Sequence, residues 1–190
     1  MKLFLSGGYN SDEYASIAES MIFRHGKHIT AEINRGAKTA VVNLAKPVGY
    51  QNQIIRPMRA AGATVIERNY QELVKWDSFD QVIMCGGGHT IIDYLDRFHF
   101  DFDRLSASCV YYGDSAGAKI FAPYYVVVDE KENISFEEAF ADTEKHIIIA
   151  HADRSAEKSK DYLDQVNAFA KKKKLEVILL KENEERAFER

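Results

Sequence analysis

Residues 108–118 read Ser-Cys-Val-Tyr-Tyr-Gly-Asp-Ser-Ala-Gly-Ala, and the fold is predicted first from this stretch. Its first half is an apolar run typical of a buried β-strand, and its second half matches the pattern Gly-x-Ser-x-Gly. A strand that turns sharply into a helix at such a pattern is typical of a nucleophile elbow, in which small neighbours leave room for the turn. The stretch predicts that Ser115 lies above the carboxyl edge of a parallel sheet, where ligands bind in α/β proteins.

On both sides of this stretch, short apolar runs alternate with longer amphipathic segments. The predicted strands are 2–5, 38–44, 64–67, 81–85, 108–112, 124–129, 146–150 and 175–180. The predicted helices are 11–25, 51–61, 90–98, a segment starting at residue 115, and 155–173. Strands that are apolar throughout are buried on both faces, and their alternation with helices indicates parallel crossovers. We therefore expect one α/β domain over residues 1–190, a three-layer α/β/α sandwich with a mostly parallel sheet. The acidic segment 129–145 interrupts this pattern and is predicted to be a hairpin or a surface loop.

The composition argues against several classes of function. The 190 residues are 46% hydrophobic and 28% charged, with a formal net charge of −4. A chain with this charge balance lacks the excess of positive charge that is typical of nucleic-acid binding. No apolar run approaches the ~18 residues of a membrane span. The first residues turn polar too early for a signal peptide, so we expect a soluble, cytoplasmic protein. Cys85 and Cys109 lie in apolar runs and are predicted to be buried thiols rather than a disulfide or metal pair.

A second glycine-rich segment, Gly-Gly-Gly-His-Thr at 86–90, follows the predicted strand 81–85. Glycines allow a backbone to approach a ligand closely. The N–H groups of these three glycines can therefore complete an oxyanion hole, to which the N–H of Ala116 can also donate. A phosphate-binding loop is disfavoured because neither Gly-x-x-x-x-Gly-Lys-Ser/Thr nor Gly-x-Gly-x-x-Gly is present. A simple tight turn remains the alternative interpretation.

A serine nucleophile needs a base to take its proton and an acid to orient that base. His151 directly follows the predicted strand 146–150, which places it at the same sheet edge as Ser115. His89 is the competing base, since its strand ends at that edge as well. Asp129, at the end of an apolar strand, and Glu184, past the last predicted strand, are the candidate acids.

At 86–90, at 113–118 and at His151 the chain resembles the peptidase E and cyanophycinase family of serine peptidases. That family joins a strand-end Gly-Gly-Gly-Asn-Thr to a later Gly-x-Ser-Ala-Gly-Ala elbow, and the order and separation are similar here. The resemblance covers roughly residues 38–184. It implies a fold like that of class I glutamine amidotransferases, with serine in place of their cysteine.

The resemblance also implies roles for individual residues. Ser115 would be the nucleophile and His151 the base, with Asp129 as the preferred acid and Glu184 as the alternative. The oxyanion hole would come from Gly87 or Gly88 together with Ala116. His89 stands where the family has asparagine, so it is a candidate substrate contact.

The expected activity is hydrolysis of a peptide bond in a short substrate such as a dipeptide, through an acyl-enzyme and without metal or cofactor. The expected partner is that small peptide, bound by a monomer or a homodimer. Two alternatives stay open. One is another acyl transfer at the same site, as in an esterase or amidase, and the other is a non-catalytic small-molecule binder.

Overall fold

A six-stranded sheet forms the centre of the fold. The computed structural model describes residues 1–9, 14–43, 50–87, 91–128, 133–141, 144–154 and 159–190. Strands β1 to β10 are Lys2–Ser6, Thr39–Val42, Thr64–Ile66, Gln81–Met84, Val110–Asp114, Tyr124–Val128, Ile134–Glu138, His146–Ala150, Glu176–Leu180 and Glu185–Glu189. The sheet has the order β10-β1-β5-β4-β2-β3. Its β10 runs antiparallel to β1, and the other strands are parallel to their neighbours.

The other strands of the described residues form two smaller sheets. Strands β6 and β7 pair antiparallel, so the described part of segment 129–145 supplies one strand of this pair, which agrees with the hairpin of the two predictions for that segment. Strands β8 and β9 pair in parallel, with Ala150 opposite Leu180. The carboxyl ends of β8 and β9 therefore lie side by side.

The helices α1 to α5 are Met21–Asn34, Arg56–Ala61, Ile91–Arg97, Ala116–Lys119 and Lys160–Lys173. The predicted boundaries of the first helix are wrong. A 3₁₀ turn over Tyr14–Glu19 comes first, and α1 then begins after Ser20, whose side chain accepts a hydrogen bond from Phe23 N. A serine in this position satisfies an N–H that has no partner within the helix, so it favours a new start.

Apolar side chains alternate between the two faces of the central sheet. Leu3 and Leu5 belong to one buried cluster, which includes residues of α3, whereas Phe4 packs against a second cluster, which includes residues of α1. A third cluster lies between strands β6 and β8 and helix α5. The protein is thus α/β, with a mostly parallel central sheet flanked by helices, as the alternation of apolar runs and helices predicts. This arrangement is compatible with the α/β/α sandwich.

Cys85 and Cys109 are buried and form no disulfide, which confirms the prediction of buried thiols. Strand β10 has no counterpart among the predicted strands. Its sequence Glu-Arg-Ala-Phe-Glu carries one large apolar residue, Phe188, which packs against the core while its neighbours face solvent. In the described part of the chain, no helix combines the length and the apolar character that a bilayer crossing requires.

Candidate active site

The turn between β5 and α4 holds Ser115 in an uncommon backbone conformation. Its φ of 54° and ψ of −109° lie outside the regions that residues with a side chain usually adopt. The backbone N–H of Ser115 donates to the Ser6 carbonyl at 3.0 Å, and its carbonyl accepts from Ala118 N and Lys119 N. Strain of this kind persists where surrounding contacts hold it, and it is concentrated at functional sites.

The glycines of the elbow are needed for close packing. A Cβ on Gly117 would lie 2.2 Å from the carbonyl oxygen of Met84 in the neighbouring strand β4. A Cβ on Gly113 would lie 2.6 Å from the carbonyl oxygen of Gly117. Both distances are far below van der Waals contact, so the Gly-x-Ser-x-Gly pattern here is a steric requirement of helix α4 lying close to the sheet.

His151 directly follows β8 and lies against the serine. Its Nε2 is 2.7 Å from Ser115 Oγ, although the two residues are 36 positions apart in the chain. His151 also has a positive φ, of 55°, and its backbone N–H donates to the Gly7 carbonyl at 3.0 Å. The structure thus brings Ser115 and His151 together as predicted. The predicted shared sheet edge is wrong, because β8 pairs with β9 in a separate sheet and not with the strands around β5.

The carboxylate beside the imidazole belongs to Glu182. Its Oε1 lies 3.0 Å from His151 Nδ1, and both side chains are largely buried. A carboxylate only accepts hydrogen bonds, which assigns the imidazole proton to Nδ1. Nε2 is then free to accept a proton from the Ser115 hydroxyl.

The structure does not bring Glu184 to His151, contrary to its role as the alternative acid. The Glu184 carboxylate instead accepts from Lys181 N at 3.0 Å and from Arg186 at 3.1 Å. The Lys181 N–H is the main reason that the pKa of Glu184 is lowered. The preferred acid, Asp129, lies outside the described residues.

Sequence reasoning missed Glu182. The signal that finds it is the parallel register of β8 and β9, in which Ala150 is opposite Leu180. The residues just after these two strands are therefore neighbours, which puts Glu182 near His151. Of the two predicted acids, the alternative Glu184 follows the correct strand but lies two positions too far along the chain.

Two backbone segments are the described candidates for the oxyanion hole. Ala116 begins helix α4, where the first N–H groups have no acceptor within the helix and can bind an anion. Gly87 lies three residues beyond β4, the strand next to β5, with Met84 paired to Gly113. The predicted oxyanion residue Gly88 and the predicted substrate contact His89 lie outside the described residues.

The segment Ser6-Gly7-Gly8, which we term the anchor tripeptide, holds the three parts of the site together. Each of its carbonyl oxygens accepts a hydrogen bond from a different part of the site. The pairs are Ser115 N to Ser6 O at 3.0 Å, His151 N to Gly7 O at 3.0 Å and Asn183 N to Gly8 O at 2.7 Å. Because Asn183 follows Glu182, the tripeptide contacts the backbone at or beside all three members of the candidate triad. This tripeptide was not predicted to be part of the site.

Gly8 packs directly against the serine–histidine pair. It has a φ of 93°, and a Cβ on it would lie 2.5 Å from His151 Cε1 and 3.0 Å from Ser115 Cβ. Its N–H donates to Ser6 Oγ, which in turn donates to the fully buried carboxylate of Asp114 at 2.8 Å. The side chains of Ser6 and Asp114 therefore help to fix the backbone of Gly8, against which the imidazole packs.

The surroundings of His151 favour its neutral form. Burial lowers the pKa of the imidazole below its ordinary value of 6.5, and the positive charges of Arg154 and Lys119 lower it further. The hydrogen bond and the charge of Glu182 oppose this shift without overcoming it. At neutral pH, the imidazole can therefore act as a base.

A serine hydroxyl bound to a neutral imidazole, which is itself bound to a carboxylate, is the arrangement that activates an oxygen nucleophile. No group of three histidine, cysteine, aspartate or glutamate side chains within the described ranges is placed to hold a metal ion. In comparisons with known proteins, no family model matches the chain and no match is found among curated proteins. Function is therefore inferred from the geometry of the site.

Proposed function

We propose that this protein is a serine peptidase that cleaves a peptide bond in a short peptide, with the class I glutamine amidotransferase-like fold of the peptidase E family. The observation that carries the proposal is the chain of contacts from Ser115 Oγ to His151 Nε2 at 2.7 Å and from His151 Nδ1 to Glu182 at 3.0 Å. These are the nucleophile, the base and the orienting acid that acyl transfer requires.

In the first half of the reaction, Ser115 Oγ attacks the carbonyl carbon of the peptide bond while His151 Nε2 takes the hydroxyl proton. The negative charge that develops on the carbonyl oxygen is met by backbone N–H groups, of which Ala116 and Gly87 are the described candidates. His151 then gives its proton to the leaving amine, and the C–N bond breaks. Glu182 stabilises the imidazolium between these two transfers.

In the second half, water replaces the amine. His151 Nε2 takes a proton from the water, whose oxygen attacks the carbonyl carbon of the acyl-enzyme. Collapse of the second tetrahedral intermediate breaks the bond to Ser115 Oγ and returns the proton from His151 to the serine. The products are an amine and a carboxylic acid, and the enzyme is regenerated.

Two observations favour catalysis over the non-catalytic binder. The positive φ of Ser115 is held by backbone bonds from β1 and α4, and Gly8 leaves space for the imidazole to meet the hydroxyl. A ligand-binding turn needs neither feature. In keeping with a peptidase of this kind, we also propose a cytoplasmic location, a monomeric or homodimeric state and a small peptide as substrate.

The test is hydrolysis of a panel of dipeptides and tripeptides, beside amides and esters of the same acyl groups. We expect peptide cleavage that falls by at least about 10³-fold in Ser115→Ala, because the nucleophile is lost. Ser108→Ala is the matched control, since its surface hydroxyl contacts Ser106 and lies outside the site. Cleavage of the esters or amides alone would favour the esterase or amidase alternative. A folded wild type that turns over none of the panel would overturn the proposal.

A further inference from the structure

Arg154 and His151 bind the same oxygen atom of Glu182. Arg154 Nε donates to Glu182 Oε1 at 2.6 Å, and His151 Nδ1 lies 3.0 Å from that oxygen. The mechanism above does not use Arg154. A charge-assisted contact this short is among the stronger hydrogen bonds in proteins, and this one is made to the acid of the candidate triad.

Arg154 is brought to the acid by a tight turn. The Arg154 N–H donates to the His151 carbonyl at 2.8 Å, so the turn that carries the imidazole also carries the guanidinium. Within that turn, Asp153 Oδ1 accepts from the backbone N–H of Glu182 at 2.8 Å. One four-residue segment therefore holds Glu182 by its backbone and by its carboxylate.

We propose that Arg154 is a positioning residue of this site, which holds the Glu182 carboxylate against His151 and keeps the imidazole in its neutral, proton-accepting form. The inference rests on the proposed function, because it assigns a purpose to a contact that matters only if His151 works as a base. Arg154 acts through Glu182 and through its own charge, and it takes no part in bond making.

The groups that face His151 come from three elements. Glu182 belongs to the turn after β9, Arg154 to the turn after β8, and Lys119 to helix α4. Asp153, in the same turn as Arg154, contacts the backbone of Glu182. A cation near the imidazole disfavours its protonated form, and a cation on Glu182 also weakens the opposing effect of that carboxylate. Both effects of Arg154 have the same sign, so removing its charge raises the pKa of His151.

The first test follows the titration of the His151 imidazole by NMR, with its resonance assigned by its absence from His151→Gln. We expect the pKa of His151 to rise in Arg154→Gln and to stay near the wild-type value in Arg154→Lys, which keeps the charge. Arg186→Gln is the matched control, because Arg186 is 48% exposed, Arg154 is 44% exposed, and Arg186 pairs with Glu184 in the adjoining turn. It should leave the titration of His151 unchanged.

Salt provides an independent check on the same residue. Arg154 is partly exposed, so added salt screens its charge, and the pKa of His151 should rise with salt more in the wild type than in Arg154→Gln. A merely structural contact would not produce this difference.

The second test measures the rate at which a fluorophosphonate labels Ser115 across pH. On the acidic limb we expect Arg154→Gln to react about two- to fivefold more slowly than the wild type, the range of a partly exposed charge pair. If the pKa of His151 is the same in Arg154→Gln and Arg186→Gln, and Ser115 is labelled in the wild type, only the role of Arg154 is overturned. If Arg154→Gln changes the pKa of His151 but Ser115 is not labelled in the wild type, the proposed function is overturned, whereas the effect of Arg154 on the imidazole is supported.

Discussion

At the scale of single residues, Glu182 is the group whose chemistry most directly controls His151. Glu182→Gln replaces an acceptor with an amide that can donate to Nδ1 and so favour the unproductive tautomer. We expect hydrolysis and labelling to fall by roughly 10²- to 10⁴-fold, as for the acid of other serine triads. The measurement is the labelling rate of Ser115 under matched conditions.

Glu184→Gln is the control for this prediction. Glu184 lies in the same turn but contacts Lys181 N and Arg186 rather than the imidazole. It should keep the labelling rate within about twofold of the wild type, since substitutions away from a site have small effects. Equal losses in the two variants would remove Glu182 from the triad.

The pH dependence of the reaction follows from His151. Only the neutral imidazole can accept the serine proton, and burial lowers the pKa of His151 below 6.5. The labelling rate should therefore be retained at neutral pH and should fall as the pH drops through this lowered pKa. Measured between about pH 4 and 8, an acidic limb centred above 6.5 would contradict the environment described for the imidazole.

Ser115 and His151 are predictable from the sequence because each directly follows an apolar strand. The acid is harder to predict, because several carboxylates follow the last such strand and side-chain direction there depends on the turn. Asn183 has a φ of 60°, which reverses the chain between Glu182 and Glu184 and sends the two side chains to different partners. Asparagine adopts this conformation more readily than most residues, but its presence alone does not say which carboxylate the turn directs to His151.

At the scale of elements, substitution of Gly8 tests whether the anchor tripeptide supports the imidazole. In Gly8→Ala, the new Cβ would lie 2.5 Å from His151 Cε1, and the backbone would be strained at a φ of 93°. We expect loss of labelling together with a destabilisation of about 1–2 kcal/mol from the left-handed conformation. The measurements are the labelling rate and the free energy of unfolding in urea.

Gly36→Ala is the control that separates the effect of backbone strain from the effect of the steric clash with His151. Gly36 has a similar φ of 100°, but a Cβ on it would meet nothing within 4 Å. This variant should lose a comparable free energy of unfolding and keep its labelling rate. If Gly8→Ala labels as fast as Gly36→Ala, the tripeptide does not support the imidazole as described.

The elements themselves were predictable to different degrees. Strand β8, His146–Ala150, has its predicted bounds because its four apolar residues are bordered by polar ones. The edge strand β10, Glu185–Glu189, was missed because its pairing with β1 depends on backbone hydrogen bonds rather than on an apolar pattern. The start of α1 was misplaced because the capping role of Ser20 is local and weak in the sequence.

At the scale of the whole molecule, the ends of parallel strands in two separate sheets bring distant residues together. Ser115 is 36 residues from His151, which is 31 residues from Glu182, yet both contacts are within 3.0 Å. The carboxyl ends of β8 and β9 share an edge, which explains the contact between His151 and Glu182. Ser115 directly follows a strand of the central sheet, so its contact with His151 depends on how the two sheets lie against each other. The separation of β8 and β9 into their own sheet was not predictable, because it depends on register and not on composition.

The central claim is that His151 activates Ser115. The most direct measurement is labelling with a fluorophosphonate probe, followed by peptide mapping, on the wild type, Ser115→Ala, His151→Ala and the control Ser108→Ala. The proposed mechanism predicts a label on Ser115 in the wild type and in Ser108→Ala, none in Ser115→Ala, and a labelling rate at least about 10³-fold lower in His151→Ala. A folded wild type that takes no label, or a label on Ser115 that forms equally fast without His151, would contradict it.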